Sequence, residues 1–262
     1  MIKEEVVELS LPFYNGEERT VRVYVPEHED GETFSVVYMT DGQSLFFDEE
    51  TRFGSWRIPQ TVRAEREKTG RGAVVVGIHN DVSPLQRANE LTPKSVGRLC
   101  FPPDMPEEAR KMVSPEGELF DDFVINTVMP LVEERFPVKK GRENTAFCGS
   151  SSGGVQTFFT AMSHPDIFSA AGVFSPCFML FYPEDLCGWI RSKANKEPPF
   201  LHIYSGGTGG IEEIIRGSIE PVYDTLKELY PEGLLKKVIK PEQEHNESAW
   251  EPEFADFLSE FL

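Results

Sequence analysis

Apolar and β-branched residues gather in eight short runs. They predict strands over Glu5–Leu11, Thr20–Val25, Phe34–Met39, Ala73–Ile78, Asn144–Cys148, Ala170–Phe174, Phe200–Tyr204 and Leu235–Ile239. From Phe34 onward these runs alternate with segments of helical spacing, at Trp56–Lys68, Leu119–Phe136, Gly153–Ser163, Ile219–Tyr230 and Trp250–Phe261. In the second of these, Leu119, Phe120, Phe123, Val124, Thr127, Val128, Leu131 and Val132 recur three and four apart, which lines them along one face of a helix. A short turn at Tyr14–Glu18 joins the first two strands and predicts an antiparallel pair. The later alternation predicts an α/β fold, with a mostly parallel central sheet and helices on both faces, over residues 1–262 as one domain. Such sheets carry their sites at the carboxyl ends of the strands, so the residues just after each strand are the ones to inspect.

One segment breaks the rhythm. Asp81–Gly117 is long, rich in proline and without a clear period. A loop of that length in a compact domain is usually functional or disordered, and its place after a central strand suits a lid or specificity wall. It carries Arg87, Lys94 and Arg98 beside Leu91, Leu99 and Phe101, side chains suited to meeting a ligand.

The net charge of −18 argues against a nucleic-acid or anionic-membrane partner, since both need a basic face. The acidic residues are dispersed along the chain, which reads as a solvated surface. No stretch reaches the ~18–20 apolar residues of a membrane span. The first residues, MIKEEVVELSLPFYNG, show neither the apolar core nor the cleavage site of a signal peptide. Cys100, Cys148, Cys177 and Cys187 form no CxxC and sit mostly in apolar settings, so reduced thiols and a cytoplasmic location are expected, with no metal and no organic cofactor.

The stretch FCGSSSGGVQTFF at 147–159 holds three consecutive serines. A serine hydroxyl attacks well only when a base takes its proton and the oxygen is exposed at a defined point. A sharp strand-to-helix turn provides that exposure, and it needs small residues two before and two after the serine. Only Ser151 has glycine at both places, Gly149 and Gly153. The strand pattern NTAFC precedes it and a helix pattern follows. A glycine-rich helix start serving as a structural turn or anion site is the plainer reading of the same residues. Among five histidines, His245 stands after the last strand and before the last helix, and follows the serine in chain order. His28 lies among acids, His202 inside a strand and His164 before a proline; His79 follows a strand but precedes the serine.

Taken together, VVYMTDGQSLF, FGSW, VVVGIHN with RANELTP, GSSSGG and HNESAW resemble, in order and over nearly the whole chain, the putative-esterase (esterase D-like) family of the α/β-hydrolase superfamily. The resemblance implies a three-layer α/β-hydrolase sandwich, Ser151 as nucleophile and His245 as general base. It also implies an oxyanion hole from the backbone N–H groups of Gln43 and Ser152. The family's D-x-G-T-x-[ED]-type element, whose last carboxylate orients the histidine, is replaced here by YSGGTGGIEE, with Gly210 at the matching position. Glu212 is the first carboxylate beyond it and is expected as the acid; Glu213 and a Ser–His dyad are the alternatives. Trp56 and Trp250 are expected near the oxyanion and histidine loops, as apolar substrate walls or as core.

The resulting expectation is a serine carboxylic-ester hydrolase with a small-molecule ester substrate. A thioesterase, peptidase or acyltransferase could use the same residues, and a non-catalytic binding protein could keep the fold. A phosphate cradle at SGGTGG lacks the Lys-[Ser/Thr] continuation of a P-loop.

Overall fold

The computed structural model describes residues 1–262. Eight strands form one sheet: β1 (Glu5–Pro12), β2 (Glu18–Val25), β3 (Ser35–Met39), β4 (Ala73–Ile78), β5 (Thr145–Ser150), β6 (Ala170–Phe174), β7 (Phe200–Ser205) and β8 (Leu235–Ile239). Their order across the sheet is β1-β2-β4-β3-β5-β6-β7-β8. β1 pairs antiparallel with β2, and β2 antiparallel with β4; every later pairing is parallel. All eight runs anticipated from the sequence are strands, within two residues at each end.

The helices are α1 (Ile58–Thr69), α2 (Pro84–Glu90), α3 (Glu107–Lys111), α4 (Gly117–Phe123), α5 (Met129–Arg135), α6 (Ser152–Ser163), α7 (Pro183–Ser192), α8 (Gly210–Leu229) and α9 (Glu247–Phe261). Alternate residues of the central strands face opposite layers. Val36, Tyr38, Val74, Val76 and Phe147 pack with α4 to α8, whereas Val37, Met39, Val75, Ala146 and Cys148 pack with α1 and α9. Burial on both faces explains why these strands read as unbroken apolar runs rather than as alternating ones.

Four helical expectations change. The helix expected over 119–136 opens into a π-helical turn at Val124–Val128 between α4 and α5, where Pro130 offers no N–H to the ladder. α8 begins at Gly210, not Ile219. α7 was not anticipated, although Pro183 at its first position and acids in its first turn suit a helix start. The Asp81–Gly117 segment is folded: α2 and α3 lie within it, and Leu99 bridges Phe181 in antiparallel fashion. The base of this segment is tied to the sheet by a buried fork, Arg19 Nη2 and Nη1 donating to Glu90 at 2.6 and 3.0 Å. No helix is long and apolar enough to cross a membrane, and the four cysteines are free thiols.

Candidate active site

The loops after β3, β5, β6, β7 and β8 converge at one edge of the sheet, because neighbouring parallel strands end side by side. Ser151 follows β5 with φ 60° and ψ −125°, a backbone conformation that an L-residue with a side chain rarely adopts. Its N–H donates to Phe174 O at 2.9 Å, and its carbonyl accepts from Cys177 N, so the strained turn is held from both sides. The flanking glycines are a packing requirement. A Cβ on Gly153 would lie 2.8 Å from Asp41 Oδ2 and collide with Thr40 Oγ1; one on Gly149 would collide with Thr40 and meet Gly153 O and Thr157 Oγ1 at 2.8 Å. The loop after β3 therefore rests directly on the elbow. Ser150 and Ser152 are buried; of the three serines only Ser151 is partly exposed. Its hydroxyl hydrogen-bonds the Cys177 thiol at 3.4 Å and makes no hydrogen bond to His245.

His245 and Glu212 are brought together. Nδ1–H of His245 donates to Glu212 Oε1 at 2.7 Å, which leaves Nε2 with the lone pair. Glu212 sits in the first turn of α8, fully buried, and Ser205 Oγ donates to its other oxygen at 2.9 Å. Burial alone would raise its pKa. Hydrogen bonds from His245, Ser175 and Ser205 outweigh that and hold the carboxyl below its ordinary 4.5. Glu213, one residue on, is exposed and has no such partner. Trp250 supports the pair from below: its ring meets His245 edge-on at 5.0 Å, and its Nε1–H donates to Ser175 Oγ at 3.0 Å.

The SGGTGG loop is occupied by the histidine loop. Gly207 N and Thr208 N both donate to Gln243 O at 3.1 Å, and Thr208 Oγ1 donates to Pro241 O at 2.6 Å. A Cβ on Gly206 would collide with Gln243 O, so its glycine permits the close approach. The amides a phosphate would need already serve to position His245.

On the other side, Asp41 opens the turn after β3 in the left-handed region (φ 56°, ψ 42°), ahead of a 3₁₀ turn at Gly42–Ser44. A Cβ on Gly42 would fall 2.5 Å from Gly77 C and 2.8 Å from the His79 ring, so the turn is pressed against β4. Neither Gln43 N nor Ser152 N donates to a protein acceptor. Gln43 Nε2 donates to Asn80 Oδ1 at 3.1 Å. His79 lies beneath this turn, its pKa pushed down to about 4 by burial and by Arg22, so it is a neutral packing residue rather than a base near neutral pH.

Arg87 reaches from α2 to Asp41, with Nε to Oδ1 at 2.6 Å and Nη2 to Oδ2 at 2.8 Å. Trp56 is core: it is 2% exposed, stacked on Phe174 at 5.6 Å and packed against Trp250 at 5.7 Å. It borders Trp250 from below rather than lining a cleft. Several neighbours of the site had no signal of their own in the sequence reading. Cys177 touches the Ser151 hydroxyl, Ser205 donates to Glu212, Ser175 accepts from Trp250, and Asp41 receives Arg87. Glu247, in the first turn of α9, has its pKa raised by burial, with Asp41 adding to the rise and His245 and Arg87 opposing it. Each meets its partner only because separate strand ends adjoin.

A model of the Putative esterase family matches residues 14–206. An uncharacterized protein, YbbA, of Bacillus subtilis (strain 168) is 25% identical over 182 residues, which cover 63% of this chain and 60% of that protein. The match thus spans about 60% of the length of this curated relative. Among solved structures, an IroE-like serine hydrolase from Shewanella oneidensis superposes with a TM-score of 0.72 at 18% identity, over 98% of this chain and 79% of that one. The enterobactin esterase FES from Shigella flexneri, in the presence of enterobactin, gives a TM-score of 0.75 at 15% identity, over 100% of this chain and 59% of that one. At these identities the likeness to solved structures establishes the fold.

Proposed function

The chain belongs to the Putative esterase family, hydrolases that act on ester bonds, and from that premise we propose that it is a serine carboxylic-ester hydrolase working through an acyl-enzyme. The observation that carries this reading is the Glu212–His245 hydrogen bond of 2.7 Å, made between the first turn of α8 and the loop after β8, at the same strand-end edge of the sheet as the Ser151 elbow. Glu212 fixes the tautomer of His245 and stabilises the imidazolium that forms when the ring takes a proton. The Ser151 hydroxyl is turned to Cys177 here, and in the proposed reading it exchanges that contact for Nε2 of His245; catalytic hydrogen bonds of this kind often form fully only when substrate is bound.

In the proposed cycle Ser151 Oγ attacks the ester carbonyl as Nε2 of His245 removes its proton. The carbonyl oxygen becomes an oxyanion, received by the free N–H groups of Gln43 and Ser152, the second at the amino end of α6. His245 then gives its Nε2 proton to the leaving alcohol, and the acyl group remains on Ser151. Water, deprotonated by the same nitrogen, attacks the acyl carbon and releases the acid. Trp250 packs against the imidazole, and Arg87 is engaged by Asp41 through Nε and Nη2. Trp56 supports Trp250 from the core. The Asp81–Gly117 segment serves as the specificity wall, since its strand-like portion docks on Phe178–Tyr182, directly after Cys177: Cys100 N donates to Leu180 O at 2.8 Å and Tyr182 N to Arg98 O at 3.2 Å.

The substrate proposed is a small-molecule ester. The acidic surface disfavours nucleic acid and anionic membranes, and four free thiols favour a reducing compartment such as the cytoplasm. A panel of p-nitrophenyl esters of graded acyl length tests the activity, and a fluorophosphonate probe mapped by mass spectrometry tests the nucleophile. Turnover with label on Ser151 is expected. Label on Ser150 or Ser152, or turnover surviving in Ser151→Ala, overturns the assignment. Acyl transfer to an added alcohol or thiol in preference to water would favour an acyltransferase on the same residues.

A further inference from the structure

The turn carrying Gln43 is held in place by charge. Asp41, a non-glycine residue at φ 56°, occupies a left-handed backbone region that an L-residue adopts only where surrounding contacts enforce it. Its carboxylate is only slightly exposed and accepts three hydrogen bonds: two from the Arg87 fork at 2.6 and 2.8 Å, and one from Thr40 Oγ1 at 3.2 Å. The same carboxylate lies over the first turn of α6, where a Cβ on Gly153 would be 2.8 Å from Oδ2. Asp41 therefore touches the elbow on one side and Arg87 on the other, and Gln43 stands two residues further along the turn. From the opposite side Asn80 accepts from Gln43 Nε2, and Asn80 belongs to the same segment after β4 that leads to Arg87.

We propose that the Asp41–Arg87 ion pair is a positioning device for the oxyanion hole: it fixes the Gln43 N–H relative to the Ser152 N–H, and so ties catalytic geometry to the Asp81–Gly117 segment. Arg87 acts here through the backbone of the turn and not by contact with the reacting atoms. The chemistry supports this division. A bidentate guanidinium–carboxylate pair fixes orientation as well as distance, which a single ammonium contact does not. An oxyanion donor is useful only when it is already aimed at the position the oxyanion will occupy. The inference rests on the serine-hydrolase reading.

The test is a set of variants assayed on one p-nitrophenyl ester, with a trifluoromethyl ketone as the oxyanion-forming inhibitor and the free product acid as a ligand that forms no oxyanion. Asp41→Asn, nearly isosteric, and Arg87→Met should lower kcat by about 10- to 100-fold, below the 10²–10³ of losing a donor outright, with KM changed less than about threefold. Affinity for the trifluoromethyl ketone should fall in proportion, while that for the product acid stays unchanged. Arg87→Lys should recover little, and the double variant should be no worse than the more damaging single one, because the pair acts as a unit. A rise in KM at unchanged kcat on Arg87→Met would make Arg87 a substrate contact and overturn the proposal. So would wild-type inhibitor affinity in Asp41→Asn, or loss of kcat that tracks only the fraction unfolded by circular dichroism. Fluorophosphonate labelling of Ser151 in the wild type tests the underlying reading separately: its failure removes the esterase, whereas normal labelling with unaffected variants removes only the clamp.

Discussion

Three histidine–carboxylate pairs occur in this molecule, and two of them lie close together on the β7–β8 side of the sheet. His202, within β7, is fully buried; its Nδ1 meets Glu260 at 2.9 Å and its Nε2 faces Glu253 at 3.9 Å. Lys236 and Lys240 neutralise those two glutamates in turn. His245 also meets a buried glutamate at 2.7 Å, but its second nitrogen is unclaimed and its side chain is 21% exposed. The difference is one of enclosure. With carboxylates facing both nitrogens and cations behind them, His202 ties β7 and β8 to α9. With one nitrogen held and one free at a partly exposed position, His245 has the arrangement that the proposed proton transfer requires. A short contact between imidazole and carboxylate is thus no signature of catalysis by itself. The third pair, His164 with Asp121 at 2.7 Å, makes the same point on the other face, where Asp121 also accepts from Thr160 and joins α4 to α6.

The contrast can be broken at the proposed site first. Ser151→Ala and His245→Ala should each lower kcat/KM by ~10⁴–10⁶, and the double variant should lose little more, since the two act as a unit. Near-normal rates in His245→Ala would put His245 and His202 in the same structural class. Glu212→Gln should lose ~10²–10⁴ in kcat while the protein stays folded, because the tautomer is no longer imposed. Retention of kcat in Glu212→Gln, Glu213→Gln and their double variant would leave a Ser–His dyad.

His202→Asn should show the reverse pattern: kcat per folded molecule within about twofold of wild type, and stability to urea lower by ~1–3 kcal/mol as Glu260 loses one hydrogen-bond partner while Lys236 and Lys240 keep both glutamates paired. His164→Ala, at a partly exposed position where Thr160 still serves Asp121, should cost only ~1–2 kcal/mol and leave turnover intact. The smallest effect is one of pH. Because the folded pKa of Glu212 lies below 4.5, the unfolded chain takes up that proton first, and the carboxylate's contribution is complete above the unfolded value. The stability difference between wild type and Glu212→Gln should be constant above about pH 5.5, narrow as pH falls through 4.5 and disappear below the folded value. A difference that widened toward acid would place Glu212 protonated in the native state.

The strands were legible because both faces of the sheet are buried, so each strand announces itself as an apolar run. Helices whose stability comes from tertiary contacts were not. α2 reads PLQRANE, with little apolar pattern, and is held by Glu90 to Arg19 and Arg87 to Asp41. α7 offers only Leu186, Cys187, Trp189 and Ile190 to the core, in a stretch crowded with charge and following Tyr182. The first nine residues of α8 include Gly210, Gly217 and the exposed Ile211 and Ile214, a composition that hides the start of the helix. At the site, Ser151 and His245 are marked by local sequence and chain order, and Glu212 by being the first carboxylate after β7. Cys177 and Ser175 carry no mark at all, and Asp41 is marked only as part of the turn that holds Gln43. Their relevance comes from strand ends that adjoin in the sheet but lie about 25 to 130 residues apart in sequence, a relation no local pattern encodes.

The φ of 60° at Ser151 turns one dihedral angle into a compromise between durability and work. A side chain there is held in a conformation costing on the order of 1–3 kcal/mol, and the rest of the fold must absorb it. Glycine at that position would release the tension, less the ~0.5–1 kcal/mol it returns to the unfolded chain as entropy. Ser151→Gly should therefore unfold at a higher urea concentration than Ser151→Ala, although both lack the hydroxyl. On the proposed reading, a population selected for heat tolerance alone would drift toward the glycine and lose turnover. The hydroxyl at Ser151 is compatible with this fold only while something rewards its presence.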